Sequence, residues 1–194
     1  MIFDQAYYPV SIDLETLGLG PYSPIIQIGA ALFNAEGTIL DRFQVTIHPA
    51  GQSPVDLETV KWWLNQGDSG AEALRKSFNS PVGILEAMHL FSSWMTTCQD
   101  CDESGKFGGP VLFRGNKDMS WLENAFETQR QRIPFHFQQV HEQRQFMRTA
   151  EFLGYDRRSM GDRLTAQHDA LNDAIWQAKC AAAAVRHMSK LIQG

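Results

Sequence analysis

The chain has 194 residues, of which 43% are hydrophobic and 20% are charged, and its formal net charge is −5. This length and composition favour one globular domain over residues 1–194 and exclude wholesale disorder, collagen and low-complexity sequence. No apolar run approaches the ~18 residues of a membrane span, and the N-terminus lacks the pattern of an export signal. Three cysteines are too few for a disulfide scaffold, so we expect a cytoplasmic protein without a membrane partner.

The acidic balance argues against a protein that coats duplex DNA by neutralising many phosphates. It permits an enzyme that holds cations on its carboxylates and presents them to phosphate. Residues 1–97 carry four Lys/Arg against ten Asp/Glu, whereas residues 98–194 carry thirteen against twelve. The second half therefore contains most of the groups that could contact a nucleic-acid backbone.

The first third of the chain is predicted to form three antiparallel strands. Tyr8–Leu14 alternates apolar and polar residues, Ile25–Phe33 is a continuous apolar run, and Thr38–Ile47 alternates again. The intervening glycines and the Asn34–Gly37 turn separate these segments. The continuous run is typical of a central strand that is buried on both faces.

From Pro54 onwards, apolar residues recur mainly at helical spacing, interrupted by two short strand-like segments. A helix follows Pro54, with Asp56 or Ser53 as its cap and Gly67 as its end. This order predicts an α/β fold with a mixed sheet of five to six strands and helices on both faces. The further predicted helices are 70–78, 84–95, 119–130, 142–153 and 169–192, and the further strands are 110–113 and 134–140.

Asp13 and Glu15 lie two residues apart in the first predicted strand, so both side chains point to the same face. Two adjacent carboxylates repel each other, and a hard divalent cation with oxygen ligands would relieve that repulsion. The alternative is an exposed strand face with two solvated acids.

Two later segments place further acidic groups near helix starts. Asp118 follows a short strand and opens a helix, where an ordinary N-cap is the alternative interpretation. His168 precedes the last helix, and Asp173 lies in it beside a stripe of alanines. Asp169 is better explained as a cap or a first-turn charge.

Together, SIDLETLGL, GNKDMSWLENAF and HDALNDA resemble the three motifs of the DEDDh branch of 3′→5′ exonucleases, which have an RNase H-like fold. The resemblance runs from Val10 to Val185, and residues 54–66 are similar to small bacterial and phage members that degrade RNA or DNA. One departure is Lys117, which stands where the second motif usually has an aromatic residue. Glu123 and Glu127 are therefore the alternatives to Asp118.

The resemblance implies a metal-dependent 3′→5′ exonuclease that releases nucleoside 5′-monophosphates from single-stranded nucleic acid, with RNA slightly preferred over DNA. It implies that Asp13, Glu15, Asp118 and Asp173 hold two divalent cations, Mg²⁺ or Mn²⁺, and that His168 is the general base. The alternatives are a single-strand DNA exonuclease and a non-catalytic nucleic-acid-binding module of the same fold. A homodimer is a further expectation from the resemblance.

By the same resemblance, Thr16, Leu17 and Gly18 meet the terminal nucleotide, and Leu17 wedges against a base. Trp62 and Trp63 point about 100° apart on a helix, so we expect Trp63 in the core and Trp62 in the substrate groove. Lys117 is expected to contact substrate phosphate. The pair Cys98 and Cys101 has no second pair to complete a zinc site, so we interpret this segment as a loop.

Overall fold

The computed structural model describes residues 7–99, 101–160 and 168–193. Five strands form one mixed sheet in the order β3-β2-β1-β4-β5, which confirms the predicted α/β class and the antiparallel start. The strands are β1 (Val10–Thr16), β2 (Ile25–Phe33), β3 (Ile39–Thr46), β4 (Val111–Phe113) and β5 (Val140–Glu142). The helices are α1 (Leu57–Leu64), α2 (Gly67–Phe78), α3 (Ile84–Thr97), α4 (Asn116–Thr128), α5 (Gln143–Phe152) and α6 (Ala170–Gln193).

Strand β1 lies at the centre of the sheet, antiparallel to β2 and parallel to β4. Its alternation separates two kinds of side chain, because successive residues point to opposite faces. Ile12 and Leu14 are buried in the core with residues of α3 and α4. Asp13 and Glu15 therefore face the other side of the sheet, where α6 packs.

Helix α6 lies against β1 and β2 at very short range. A Cβ atom added at Gly29 of β2 would lie 2.1 Å from the carbonyl carbon of Ala170, so only glycine permits this approach. Further along the helix, Ala174, Ala178 and Ala181 are fully buried. These small side chains bring the first turns of α6 close to the acidic face of β1.

Three local predictions are wrong. Helix α4 begins at Asn116 after the N-cap Gly115, so Asp118 is its third residue and not its cap. Residues 134–140 are not a strand, because a 3₁₀ turn occupies Phe137–Gln139 and the strand that pairs with β4 starts at Val140. Gly67 adopts a φ of 72° and starts α2 instead of ending α1, which ends at Leu64. None of the helices within residues 7–99, 101–160 and 168–193 is long and apolar enough to cross a membrane.

Candidate metal centre

Three carboxylates meet where β1 and the start of α6 face each other. One oxygen each from Asp13, Glu15 and Asp173 lies within 4.8 Å of the others. Burial raises the pKa of Asp13 well above its ordinary value, and the charges of Glu15, Asp118 and Asp173 raise it further. A set of oxygen ligands with this much mutual repulsion fits a hard divalent cation such as Mg²⁺ or Mn²⁺.

Gln177 holds Asp13 from α6, one turn beyond Asp173. Its side-chain amide donates a hydrogen bond of 2.6 Å to Oδ1 of Asp13. The side-chain amide of Gln143 in α5 donates in turn to the backbone carbonyl of Gln177. Both glutamines are buried, so they fix the orientation of one carboxylate oxygen. Sequence reasoning missed Gln177, although its i+4 spacing from Asp173 places both on one face of the helix.

Asp118 lies beside the three carboxylates without joining their close group. Burial raises its pKa to about 6, against the opposing effects of a hydrogen bond from the Leu14 backbone and of the charges of Arg144 and Arg114. Strand β4 pairs with β1 only as far as Ile12, opposite Phe113. The backbone of Leu14 lies beyond this pairing and is available to Asp118.

His168 lies two residues before the start of α6 and lines the same cleft as the carboxylates. Its backbone is in the left-handed region with φ of 62°, and its N–H donates to Oδ2 of Asp173 over 3.2 Å. Its ring centroid lies 4.9 Å from that of Trp62 and 5.9 Å from that of Trp63, edge to face in both cases. The cleft has a volume of about 450 Å³ and is lined by His168 and the three close carboxylates.

An apolar pocket of about 370 Å³ adjoins the cleft and shares Leu14 and Glu15 with it. Trp63 is 1% exposed, which confirms its place in the core, and its indole N–H donates to the carbonyl of Thr16. Trp62 is 44% exposed and lines the pocket with Thr16. The pocket could therefore accept an unpaired base against an aromatic wall.

The segment after β1 differs from the expectation at one residue. The side chain of Leu17 is fully buried against Ile26 and Trp63, so it cannot act as the expected wedge against a base. Gly18 is buried close to Ser23. Leu19 is instead 66% exposed and lines the apolar pocket. Leu17 and Leu19 alternate with glycines in the sequence, so spacing alone does not indicate which of the two leucines is exposed.

Lys117 contacts this same segment. Its Nζ donates to the carbonyl of Leu19 over 3.4 Å and lies 6.0 Å from the ring centroid of Trp121. The indole N–H of Trp121 donates to the carbonyl of Gly20 over 2.6 Å. Lys117 therefore supports the loop that carries Leu19, and its contact with substrate phosphate stays a prediction.

The remaining candidates lie apart from the cleft. Glu123 and Glu127 are exposed on α4. Asp169 accepts the N–H of Asn172 over 3.0 Å, which confirms its interpretation as a cap. The thiols of Cys98 and Cys101 donate to the backbone carbonyls of Met95 and Thr96.

A family model described as the 3′-5′ exoribonuclease Rv2179c-like domain matches residues 9–185 of the chain. No curated protein sequence matches the chain. Among solved structures, the zinc-bound E. coli exonuclease I–ssDNA complex is 16% identical, with 97% of this chain and 43% of that chain covered and a TM-score of 0.67. The chain thus spans less than half the length of exonuclease I.

Two smaller structures are covered over most of their length. S. pombe Pop2p in its Mg²⁺- and Mn²⁺-bound form is 15% identical, with 92% of this chain and 82% of that chain covered and a TM-score of 0.60. A 3′-exonuclease that recognises the histone mRNA stem-loop is 19% identical, with 95% and 83% covered and a TM-score of 0.56. These likenesses show that the chain has the RNase H-like fold of such nucleases.

Proposed function

Because the chain belongs to the 3′-5′ exoribonuclease Rv2179c-like domain family and is accordingly a hydrolytic 3′-5′ exonuclease, we propose that it removes nucleoside 5′-monophosphates from the 3′ end of single-stranded RNA. The observation that carries this proposal is the meeting of Asp13, Glu15 and Asp173 within 4.8 Å beside Asp118 and His168. The family description favours RNA over DNA. The unbridged thiols of Cys98 and Cys101 support a cytoplasmic location.

Two divalent cations, Mg²⁺ or Mn²⁺, would be held by these carboxylates. Asp13, Glu15 and Asp173 would bind one, and Asp118 would hold the other together with Asp13. Bound cations supply Lewis acidity, which stabilises negative charge on phosphate oxygens. The all-carboxylate donor set and the raised pKa of Asp13 support this assignment.

His168 would accept the proton of the attacking water as general base. Water oxygen bonds to phosphorus, the bond from phosphorus to the 3′ oxygen of the preceding nucleotide breaks, and that oxygen gains a proton. The contact with Trp62 restricts the imidazole ring, and the hydrogen bond to Asp173 fixes the backbone that carries it. The neutral ring is the form that accepts a proton.

The terminal base would lie in the apolar pocket, where Leu19 and Trp62 offer an exposed aliphatic and an exposed aromatic surface. Leu19 takes the wedge role that the buried Leu17 cannot fill. Thr16 lines the same pocket, and Gly18 follows it two residues further along the chain. Nothing in the comparisons supports the homodimer that the resemblance implied.

The test is the degradation of end-labelled single-stranded RNA and DNA with Mn²⁺ or with EDTA, by the native protein and Asp13→Ala. We expect stepwise release of mononucleotides from the 3′ end, lost in EDTA and in the variant, and faster on RNA. Asp68→Ala, which removes an exposed acid of α2, should behave like the native protein. Internal cuts would indicate an endonuclease, and binding without cleavage would indicate a non-catalytic module.

A further inference from the structure

A third space, lined by arginines, opens beside the cleft that contains Asp13, Glu15 and Asp173, here called the acidic cleft. It has a volume of about 190 Å³ and lies between α5, α6 and the 3₁₀ turn Arg157–Met160. Arg114, Arg157 and Trp176 line both this cavity and the acidic cleft, so the two spaces are continuous. The cavity's lining also includes Arg144, Arg148 and Glu151.

The charge of this cavity is strongly one-sided. Four guanidinium groups line it against a single carboxylate, that of Glu151. Within the described parts of the chain, none of the four forms a salt bridge. Arg144 and Arg148 stand one turn apart on α5, a spacing at which like charges repel. An anion in the cavity would offset this repulsion.

The order of the three spaces indicates which anion that is. The apolar pocket shares Leu14 and Glu15 with the acidic cleft, and the arginine cavity shares Arg114, Arg157 and Trp176 with it. The acidic cleft thus lies between them. A strand with its terminal base in the apolar pocket and its scissile phosphate at the carboxylates continues towards the arginines.

We propose that the arginine cavity binds the phosphate immediately upstream of the scissile one, through guanidinium groups of Arg144 and Arg148. This inference rests on the proposed function, because it assumes the same strand in the same cleft. Guanidinium matches the oxygens of a phosphate with paired hydrogen bonds. Fixing the second phosphate would align the first one with the carboxylates and so raise the efficiency of cleavage. The arginines would not themselves take part in the making or breaking of a bond.

The test uses single-stranded oligoribonucleotides in which one charged linkage is replaced by a neutral methylphosphonate. The replacement is placed at the second linkage from the 3′ end or, as the matched control, at the fourth. The nucleotide on the 5′ side of the replaced linkage carries deoxyribose in every substrate, which keeps the neutral linkage stable. The readout is kcat/KM for release of the first nucleotide, by the native protein and by Arg144→Gln/Arg148→Gln.

We expect the neutral second linkage to lower kcat/KM about 10-fold relative to the neutral fourth linkage, as the loss of a charge-assisted contact does. The double variant should lose about as much on the unmodified strand, and the two losses should not add, because each removes the same contact. The salt dependence of the variant should also be shallower, by a slope of roughly 0.7 for each lost phosphate contact. Arg132→Gln, an exposed arginine in the loop after α4, should show none of these changes.

Additive losses, or equal rates with the neutral second and fourth linkages, would overturn the inference while leaving the exonuclease intact. Failure of the native protein to release any nucleotide would instead contradict the proposed function. A dinucleotide with and without a 5′-phosphate separates the two sources of an upstream phosphate. The native protein could prefer the dinucleotide with a 5′-phosphate, in a way that depends on the arginines, while the neutral linkage has no effect in longer strands. This result would assign the cavity to terminal phosphates and overturn the proposed binding of an internal phosphate.

Discussion

Asp118 lies close enough to Asp13 for its charge to raise the pKa of Asp13, but the two carboxylates are held in different ways. Asp13 lies in the middle of a seven-residue central strand, and an amide of α6 binds one of its oxygens over 2.6 Å. Asp118 lies in the first turn of α4, after a strand of only three residues, and accepts a hydrogen bond from the backbone of Leu14. The first carboxylate is fixed by the sheet and by α6, and the second by a helix start at the edge of the cleft.

The difference shows that two separate parts of the fold bring the carboxylates together. The register of β1 and the close approach of α6 bring Asp13, Glu15 and Asp173 within 4.8 Å of one another. Asp118 is added from another layer and contributes charge to the same cleft. We therefore expect changes at the β1–α6 contact to affect the site more than changes at α4.

Asp13→Asn should have the largest effect, and with opposite signs on activity and stability. Exonuclease activity should fall to background, because the residue that would be shared by both cations loses its charge. The melting temperature in EDTA should rise, because burial and three neighbouring charges disfavour the ionised form. Each kcal/mol gained corresponds to about 2–4 °C for a chain of this size.

The measurement is a pair of melting curves, one in EDTA and one in excess Mn²⁺. The stability advantage of Asp13→Asn should shrink or reverse with Mn²⁺, since only the native protein gains full stabilisation from the cation. Glu86→Gln, an exposed acid of α3, serves as the control. A lower melting temperature of Asp13→Asn in EDTA would contradict the repulsion on which this expectation depends.

Gly29→Ala should disturb the packing of α6 on the sheet from β2, the strand next to β1. The new methyl group would lie 2.1 Å from the Ala170 backbone, so α6 must shift away from the sheet. We expect a loss of about 1–3 kcal/mol in the free energy of unfolding, as for other overpacked sites. Mn²⁺ affinity should fall as well, because Asp173 moves with α6.

The comparison is with Gly83→Ala, where a Cβ has no neighbour within 4 Å. Unfolding by denaturant and titration of Mn²⁺ measure the two effects separately. Native Mn²⁺ affinity in Gly29→Ala would show that the close approach of α6 does not set the position of Asp173.

The sequence predicts the β1–α6 side of this comparison better than the β4–α4 side. Strand β2 is a nine-residue apolar run and α6 has a long alanine stripe, so their types follow from period and composition. The three-residue strands β4 and β5 carry too little periodicity to fix their ends. Strand β4 pairs with β1 and β5 pairs with β4, so both depend on tertiary contacts, and the prediction of a strand over residues 134–140 is wrong for this reason.

The same limit applies to the site. Asp13, Glu15 and Asp173 follow from strand alternation and motif resemblance, but the role of Gln177 depends on the depth at which α6 packs. Leu17 and Leu19 cannot be ranked from spacing, since the chain leaves the strand geometry after Thr16. Which of them is buried is decided by the packing of Leu17 against Trp63.

Gln177→Leu should weaken the hold on Asp13 while leaving the helix in place. Loss of a partner that orients a metal ligand typically costs 10–100-fold in metal affinity or activity, so we expect about that decrease in kcat/KM at low Mn²⁺. Stability should change little, because two effects offset each other: Asp13 loses a hydrogen-bond donor, and leucine removes the Oε1 atom, which is buried without a partner. Lys179→Gln, at an exposed position of the same helix, is the control. Native activity at limiting Mn²⁺ would show that Asp13 is held by the sheet alone.

Asp118→Asn should give a smaller, pH-dependent effect. The pKa of Asp118 is raised to about 6 by burial, above its ordinary value of 3.8. Between these two values the folded state binds the proton more tightly than the unfolded state, so this group's contribution to stability falls as pH rises from about 4 to about 6. In EDTA the variant should therefore match the native protein near pH 4 and exceed it in melting temperature above pH 6.

Melting curves across this range measure the difference, and Glu123→Gln on the exposed side of α4 is the control. Asparagine keeps an acceptor for the Leu14 N–H, so the hydrogen bond should survive the substitution. A melting difference that does not depend on pH would contradict the raised pKa. It would also remove the main electrostatic distinction between Asp118 and an ordinary helix-start acid.

Trp62 should give the smallest effect, because it contacts His168 and lines the apolar pocket but offers no ligand to a cation. Its ring lies edge to face against the imidazole at 4.9 Å, and Trp63 provides a second contact at 5.9 Å. Trp62→Phe keeps an aromatic wall and should change kcat by no more than a few-fold, whereas Trp62→Ala removes the ring contact and should lower kcat further. A loss confined to KM in Trp62→Ala would mean that this residue serves the terminal base alone, and His168 would then be oriented by Asp173 and Trp63.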